Sequence, residues 1–207
     1  MGIRKSLCNS IIMTFGIDID ECLRHLLSRM VKLYNENFHQ NMTVDDVKDY
    51  VVENSFPAIS MTGQSASKWF FQDHGKELFR LSKPIGDVSD YISRLRKYGK
   101  VILISYQKSY TNKIDTLWWL DKHEVEYDGI CFVKDKSIVH TDYLCDDNSW
   151  NFGNSNAEYA ILITAPYNKE DNLDDILATS NCKDIQRFDT LEQFVEYIET
   201  KFENNEK

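Results

Sequence analysis

Two pairs of carboxylates in this 207-residue chain are spaced for chemistry. Asp18-Ile19-Asp20 closes an apolar run, Ile11 to Ile19, that reads as a buried strand. Side chains alternate along an extended chain, so both carboxylates fall on one side at the strand's carboxyl end. Asp146-Asp147 follows a second short apolar stretch, Tyr143-Leu144-Cys145. Adjacent carboxylates at a strand tip repel each other. Mg²⁺, which takes oxygen ligands and keeps several waters, would relieve that repulsion. A plainer reading stands beside this one. Asp18 and Asp20, with Glu21, can answer the dipole of a following helix, and Asp146-Asp147-Asn148 can be a solvated turn. Ser105 ends the run KVILIS, where a hydroxyl can donate to a phosphoryl oxygen or simply form a turn. Lys136, in KDKSIVHTD, offers a cation, with Lys134 competing for the role and Asp142 reading as a turn residue. The five histidines show no metal-ligand spacing.

Strands alternating with helices must position these residues. Lys100 to Ser105 is the clearest strand, and Ile130 to Val133, Tyr143 to Cys145, Ala160 to Thr164 and Ile185 to Phe188 are further ones. Leu23, Leu26, Leu27, Met30, Val31 and Tyr34 recur at helical spacing, and Thr43 starts another helix with Asp45 and Asp46 in its first turn. Val88, Tyr91, Ile92 and Leu95 mark a helix that Gly99 closes. Thr111 caps a helix whose apolar face carries Ile114, Leu117, Trp118 and Leu120, making Trp118 and Trp119 structural. Thr190 and Gln193 form a capping box ahead of Leu191, Phe194, Val195 and Ile198. The pattern predicts an α/β fold, a Rossmann-like parallel sheet flanked by helices. A strand-helix-strand unit needs about 30 residues, far fewer than separate Asp18 from Lys100. The surplus reads as a small helical cap inserted after the first strand, over the carboxyl edge where such sheets bind ligands. The expected division is an N-terminal extension (1–12), a core (13–22 and 84–203), a cap (23–83) and a tail (204–207).

With 42% apolar residues the chain can bury one sizeable core, and its net charge of -9 opposes a DNA- or RNA-coating role. No apolar run is long enough for a membrane span, and no export signal is legible. Met1-Gly2 with Ser6 fits a crude myristoylation pattern, one that short sequences meet by chance. Five cysteines without a CxxC pair read as reduced thiols, which suits the cytoplasm.

The order strand-DxD, strand-Ser, Lys, strand-DD resembles the haloacid dehalogenase-like phosphohydrolases, and within them the 5'(3')-deoxyribonucleotidase family. GIDIDECL, WFF followed by KPIGDVSDYISRLRKYGKVILIS, and DKSIVHTDYLCDDN carry the likeness, and AILITAPYN extends it. The resemblance implies Asp18 as the nucleophile forming an aspartyl-phosphate and Asp20 as general acid and base. It implies Mg²⁺ held by Asp18, the Asp20 carbonyl and the Asp146-Asp147 pair, with Asp146 the first choice. Ser105 and Lys136 would grip the phosphoryl group, and Trp69, Phe70, Phe71 and Tyr106 would meet the substrate base. Trp69, Phe70 and Phe71 can equally pin the cap to the core. The expected substrate is a nucleoside monophosphate, with no polymer or membrane partner and with a homodimer left open. Another small phosphate ester, or a binding module without turnover, are the alternatives.

The chain departs from the family pattern at Cys22, where Thr or Val is usual, at Tyr106, where a small residue is usual, and at Asn148, which brings no charge. Cys22 invites a redox reading, against a buried inert thiol. Relatives begin near the position of Met13, so a chain starting there is expected to keep fold and activity.

Overall fold

The computed structural model describes residues 13–204. The expected extension 1–12, the question of a start at Met13, the myristoylation pattern and the last tail residues fall outside the described residues.

Six strands form one all-parallel sheet in the order β3-β2-β1-β4-β5-β6. They are β1 (Met13–Ile17), β2 (Gly99–Ser105), β3 (Gly129–Phe132), β4 (Tyr143–Asp146), β5 (Tyr159–Ile163) and β6 (Asp184–Phe188). The chain builds outward from β1 through β2 and β3, then returns to β1's other side with β4. That reversal opens a crevice between β1 and β4 at their carboxyl ends. Gly16 keeps the layers close there, because a Cβ on it would come within 2.8 Å of Ile104 Cδ1 and 2.9 Å of Thr141 Cγ2.

The region after β1 holds α1 (Leu26–Phe38), the short turns α2 (Val52–Ser55), α3 (Pro57–Ser60) and α4 (Ala66–Lys68), a π-helical stretch Trp69–Asp73, and α5 (Gly75–Leu81). These elements bury their own apolar cluster, including Leu27, Tyr34, Phe56, Phe70 and Phe79. The chain enters and leaves this insert side by side: His25 N donates to Lys83 O (2.9 Å) and Ile85 N to Leu23 O (2.8 Å). The sheet's own cover is α6 (Val88–Leu95), α7 (Tyr110–Lys122), α8 (Leu173–Thr179) and α9 (Leu191–Glu203). Phe15, Ile17, Ile92, Trp119 and Phe194 belong to the core on one face, and Ile104, Leu144 and Phe152 to that on the other. None of the described helices is long and apolar enough to cross a membrane.

Several local expectations need correction. Gly99 does not close α6; it opens β2, where a Cβ would lie 2.1 Å from Met13 O. Ser109, not Thr111, caps α7, accepting from Asn112 N at 3.1 Å. The apolar face expected for α7 is turned largely outward: Ile114, Leu117 and Trp118 are exposed, while Asn112, Asp115, Thr116, Trp119 and Leu120 are buried. Polar partners on the insert cause this rotation. Asn112 Nδ2 donates to Phe71 O (2.9 Å), Trp119 Nε1 to Ser82 O (2.7 Å), and Arg80 pairs with Asp115 (2.5 Å). Trp118 lies instead beneath the Arg80 and Lys122 cations. Thr43 starts only a 3₁₀ turn, Val44–Asp46. Before α9, Gln193 N donates to Thr190 Oγ1, but the side-chain Oε1 of Gln193 accepts from Asp189 N (2.9 Å), one residue earlier than expected.

Candidate active site

The end of β1 is pinned to the end of β4. Ile17 registers with Cys145, and Asp18 N donates to Cys145 O at 2.9 Å. The chain then turns sharply: Leu23 N and Arg24 N both donate to Ile19 O (2.9 and 3.1 Å), and Glu21 adopts a left-handed φ of 58°. L-residues other than Asn, Asp and Gly rarely take this conformation. Glu21 closes the turn twice, its N donating to Arg24 O at 2.9 Å and its Oε1 accepting from Leu27 N at 2.6 Å. Glu21 thus lies ahead of α1, whose N-cap is His25, and its side chain takes one amide of the helix's first turn.

Asp18, Lys136 and Asp146 meet at the crevice although they lie far apart in sequence. Lys136, in the 3₁₀ turn Lys136–Ile138 capped by Asp135, donates from Nζ to Asp18 Oδ1 at 2.6 Å and to Asp146 Oδ2 at 2.5 Å. All three side chains are nearly inaccessible, and Lys134 is exposed. Burial pushes the Lys136 ammonium down, but Asp146 and Asp18 outweigh it and hold it well above its ordinary range. Burial, with Asp146 and Asp20 adding to it, lifts Asp18 to about 7 in spite of Lys136.

Asp146 and Asp147 play different parts. Besides Lys136, Asp146 accepts from Asn148 N and Asn151 Nδ2, both at 2.9 Å. Asp147 is also buried, accepts from the Tyr167 hydroxyl, and has no cationic partner among the described residues. Asn168 fixes its backbone, donating to Asp147 O (2.6 Å) and Ile163 O (2.7 Å). Burial, then repulsion from Asp146 and Asp18, pushes the Asp147 carboxyl well up. Asp18, Asp147 and Cys22 bring ligand atoms within 4.8 Å of one another, the one such cluster among the described residues. That cluster takes in Asp147 and not Asp146, whose Oδ2 is held by Lys136. Burial and the neighbouring Cys145 push the Cys22 thiol well up, which leaves it neutral.

Asp20 is gripped on both oxygens. Arg24 Nε donates to Oδ1 at 2.7 Å, and Gln107 Nε2 donates to Oδ2 at 2.9 Å and to Ser105 Oγ at 3.3 Å. Ser105 is buried at the end of β2. Asp142 lies at the other end of the sheet, where it accepts from Thr14 N at 2.6 Å.

The aromatic residues divide differently from the sequence expectation. Trp69 and Phe70 are buried inside the insert, edge-on to Phe38 (5.3 Å) and Phe56 (4.8 Å), so they pack within the insert itself. Phe71 is half-buried and stacks on Phe79 at 6.2 Å, and Tyr106 is half-exposed after β2. Beside Asp147 lies a cleft of 130 Å³ lined by Tyr50, Asn148, Trp150 and Tyr167, with Tyr50 edge-on to Trp150 (5.9 Å) and Tyr167 (5.6 Å). A larger hollow of 470 Å³ on the insert is lined by none of the clustered carboxylates. Arg24, Gln107, Tyr50 and Tyr167 are the residues that sequence reasoning missed. Only Arg24 left a signal, a cation set in the apolar stretch Leu23 to Leu27.

Known proteins share both sequence and fold with this chain. The family model for 5' nucleotidase, deoxy (pyrimidine), cytosolic type C protein (NT5C) matches residues 9–194. A 5'(3')-deoxyribonucleotidase of Clostridium acetobutylicum is 28% identical over 163 residues, covering 77% of this chain and 86% of its own. A haloacid dehalogenase-like hydrolase of Streptococcus pneumoniae superposes with a TM-score of 0.55 at 13% identity, over 90% of this chain and 98% of its own. The HAD-type YfnB of Bacillus subtilis, bound to magnesium, gives 0.55 at 11% identity, over 91% and 99%. The structural likenesses establish the haloacid dehalogenase-like fold.

Proposed function

We propose, from the premise that the chain belongs to the cytosolic type C 5'-nucleotidase (NT5C) family and hydrolyses phosphoric monoesters, that its substrates are deoxynucleoside monophosphates and its nucleophile is Asp18. The observation that carries this reading is the meeting of Asp18, Lys136 and Asp147 at the β1/β4 crevice, with Asp20 clamped one turn further on.

Asp18 attacks phosphorus through a carboxylate oxygen. The phosphorus-oxygen ester bond breaks, its electron pair stays on the sugar oxygen, and the Asp20 carboxyl delivers the proton that oxygen needs. Water then attacks the aspartyl-phosphate and gives a proton to Asp20, and inorganic phosphate leaves with the Asp18 carboxylate restored. Lys136 and Ser105 grip the non-bridging oxygens. Positioning and charge neutralisation do most of this work, as in phosphoryl transfer generally.

The residues fit a divalent cation. Three buried carboxylates, Asp18, Asp146 and Asp147, face the single ammonium of Lys136, and Asp147 is left without a cation among the described residues. Asp18, Asp147 and the Asp20 carbonyl would hold Mg²⁺, leaving Asp146 to Lys136. When bound, Mg²⁺ offsets the repulsion between the Asp18 carboxylate and an incoming phosphate dianion.

The insert acts as a cap. The cleft beside Asp147 holds 130 Å³, well below the roughly 300 to 1,000 Å³ of ordinary ligand pockets. Opening of the insert admits the nucleotide and closure excludes water. Tyr50, at the Trp150 and Tyr167 rings, offers the base an aromatic face. Assay of a phosphomonoester panel with and without EDTA, alongside Asp18→Asn, tests the reading. Metal-dependent release of phosphate from deoxynucleotides, abolished in the variant, is expected. Turnover surviving in Asp18→Asn would show that another group is the nucleophile.

A further inference from the structure

Among the described residues, Arg24 has a single carboxylate partner for its charge. It is fully buried, and each guanidinium nitrogen is spoken for: Nε by Asp20 Oδ1 (2.7 Å), Nη1 by Phe79 O (3.2 Å) and Nη2 by Thr116 Oγ1 (3.0 Å). Its plane also faces the rings of Phe79 (4.7 Å) and Trp119 (5.5 Å). The cation therefore ties Asp20 to α5 and α7 at once. Gln107, also buried, holds the other Asp20 oxygen and reaches Ser105.

We propose that Arg24 and Gln107 are positioning residues for the proton-transfer step, clamping the Asp20 carboxyl from both ends so that it faces the ester oxygen. The proposal rests on the reading of Asp20 as the acid and base. A carboxylate oxygen has two lone-pair directions. Each clamp donor takes one of them on its own oxygen, which leaves a second direction free to carry the proton. The rotamer that an exposed Asp would sample freely is thereby fixed, and misplacement of a catalytic group by about 1 Å can cost on the order of a hundredfold in rate. Arg24 also sits at the root of the insert, in the stretch that pairs with Pro84. The clamp thus spans the core at β2, the base of the cap and the first catalytic loop.

The test separates proton delivery from everything else by changing only the leaving atom. A deoxynucleoside 5'-monophosphate and its analogue with sulfur as the bridging atom share base, sugar and phosphoryl contacts. An alkoxide needs a proton to leave, and a thiolate does not. The readout is the ratio of kcat/KM for the oxygen ester to kcat/KM for the sulfur ester, since kcat/KM reports the steps through departure of the leaving group. General acid catalysis contributes roughly 10² to 10⁴, so loss of one clamp donor in Gln107→Leu should lower the ratio about tenfold, with less than about a threefold loss on the sulfur ester. Arg24→Met should lower it further, and Arg24→Lys should recover part of the loss. Arg24→Met also removes buried bonds and can unfold, whereas Gln107→Leu removes only the bonds to Asp20 and Ser105, so the latter decides.

An unchanged ratio in Gln107→Leu, or an equal fall on both esters, overturns the clamp provided that Asp20→Asn lowers the ratio. If Asp20→Asn leaves the ratio intact, the acid role itself fails and the clamp falls with it.

Discussion

Replacing Lys136 by Met is the most searching perturbation of this site. The variant keeps an unbranched side chain, one atom shorter, and deletes its charge, together with bonds of 2.6 Å to Asp18 and 2.5 Å to Asp146. Asp18, Asp146 and Asp147, all buried, are then left facing one another with no ammonium between them. Removing one partner of a buried ion pair costs about 3 to 5 kcal/mol. For a domain of this size each kcal/mol shifts Tm by about 2 to 4 °C, which gives a fall of roughly 6 to 20 °C at pH 8 in EDTA. The penalty belongs to ionised carboxylates, so it shrinks at pH 5, where Asp18 and Asp147, both pushed up by burial, take up protons. Phosphate release should fall by at least about a hundredfold, the usual loss when one electrostatic contact to a developing charge is removed. Thermal melts of both proteins at pH 5 and pH 8, with and without Mg²⁺, check this. A drop below about 3 °C at pH 8, or an equal drop at pH 5, would mean that the three carboxylates do not share one electrostatic site.

Without metal, the wild-type protein should lose stability as pH rises from 4 to 7. The folded-state values of Asp18 and Glu21 are raised from 3.8 and 4.5 to about 7, so the folded chain binds more protons than the unfolded one in that window and the slope is negative. Added Mg²⁺ should flatten the fall, which melting curves across the range will measure. Tyr167→Phe deletes the hydroxyl that orients Asp147 and should weaken Mg²⁺ binding by about 10- to 100-fold in calorimetric titration. Phe70→Ala should cost about 3 to 5 kcal/mol in denaturant unfolding, because Phe70 is core to the insert. Tyr50→Ala should instead raise KM for a nucleotide, by about tenfold if the base stacks there, with kcat little changed.

The strands were legible because each is a short apolar run, and the parallel sheet follows from their alternation with helices. The convergence of Asp18, Lys136 and Asp146 was legible because each is attached to the carboxyl end of a strand or to the loop beyond it. What escaped depends on tertiary context. Nothing local separates Trp118 from Trp119; the insert's Ser82 carbonyl, which takes the Trp119 indole N–H, decides which one is buried. Trp69 and Phe70 stayed open between packing and substrate contact because aromatic side chains serve cores and ligands alike. Their T-shaped packing on Phe38 and Phe56 is invisible in sequence. Arg24 reaches Asp20 only because Glu21 takes a left-handed turn that no glycine announces. Gln107 is one polar residue among several after β2.

The pleat of β4 explains why the two adjacent carboxylates meet different partners. Successive side chains on a strand point to opposite sides, and Asp146 is the last residue of β4 with Asp147 just beyond it. Asp146 turns towards Lys136 and the asparagines of its own loop, while Asp147 turns towards Tyr167, Cys22 and Asp18. A single aspartate could not serve both. Paired with Lys136 it would have little capacity left for a metal, and given to a metal it would leave the ammonium partnered by Asp18 alone. The pairing of Ile17 with Cys145 then brings Asp18 beside both members. A one-residue slip of β4 against β1 would exchange the two outward directions, presenting Asp147 to Lys136 and withdrawing Asp146 from it. Leu144 and Cys145 are buried in opposite cores of the sheet, and the slip would exchange a Leu for a Cys in each, so packing keeps the Tyr167-facing carboxylate distinct from the Lys136-facing one.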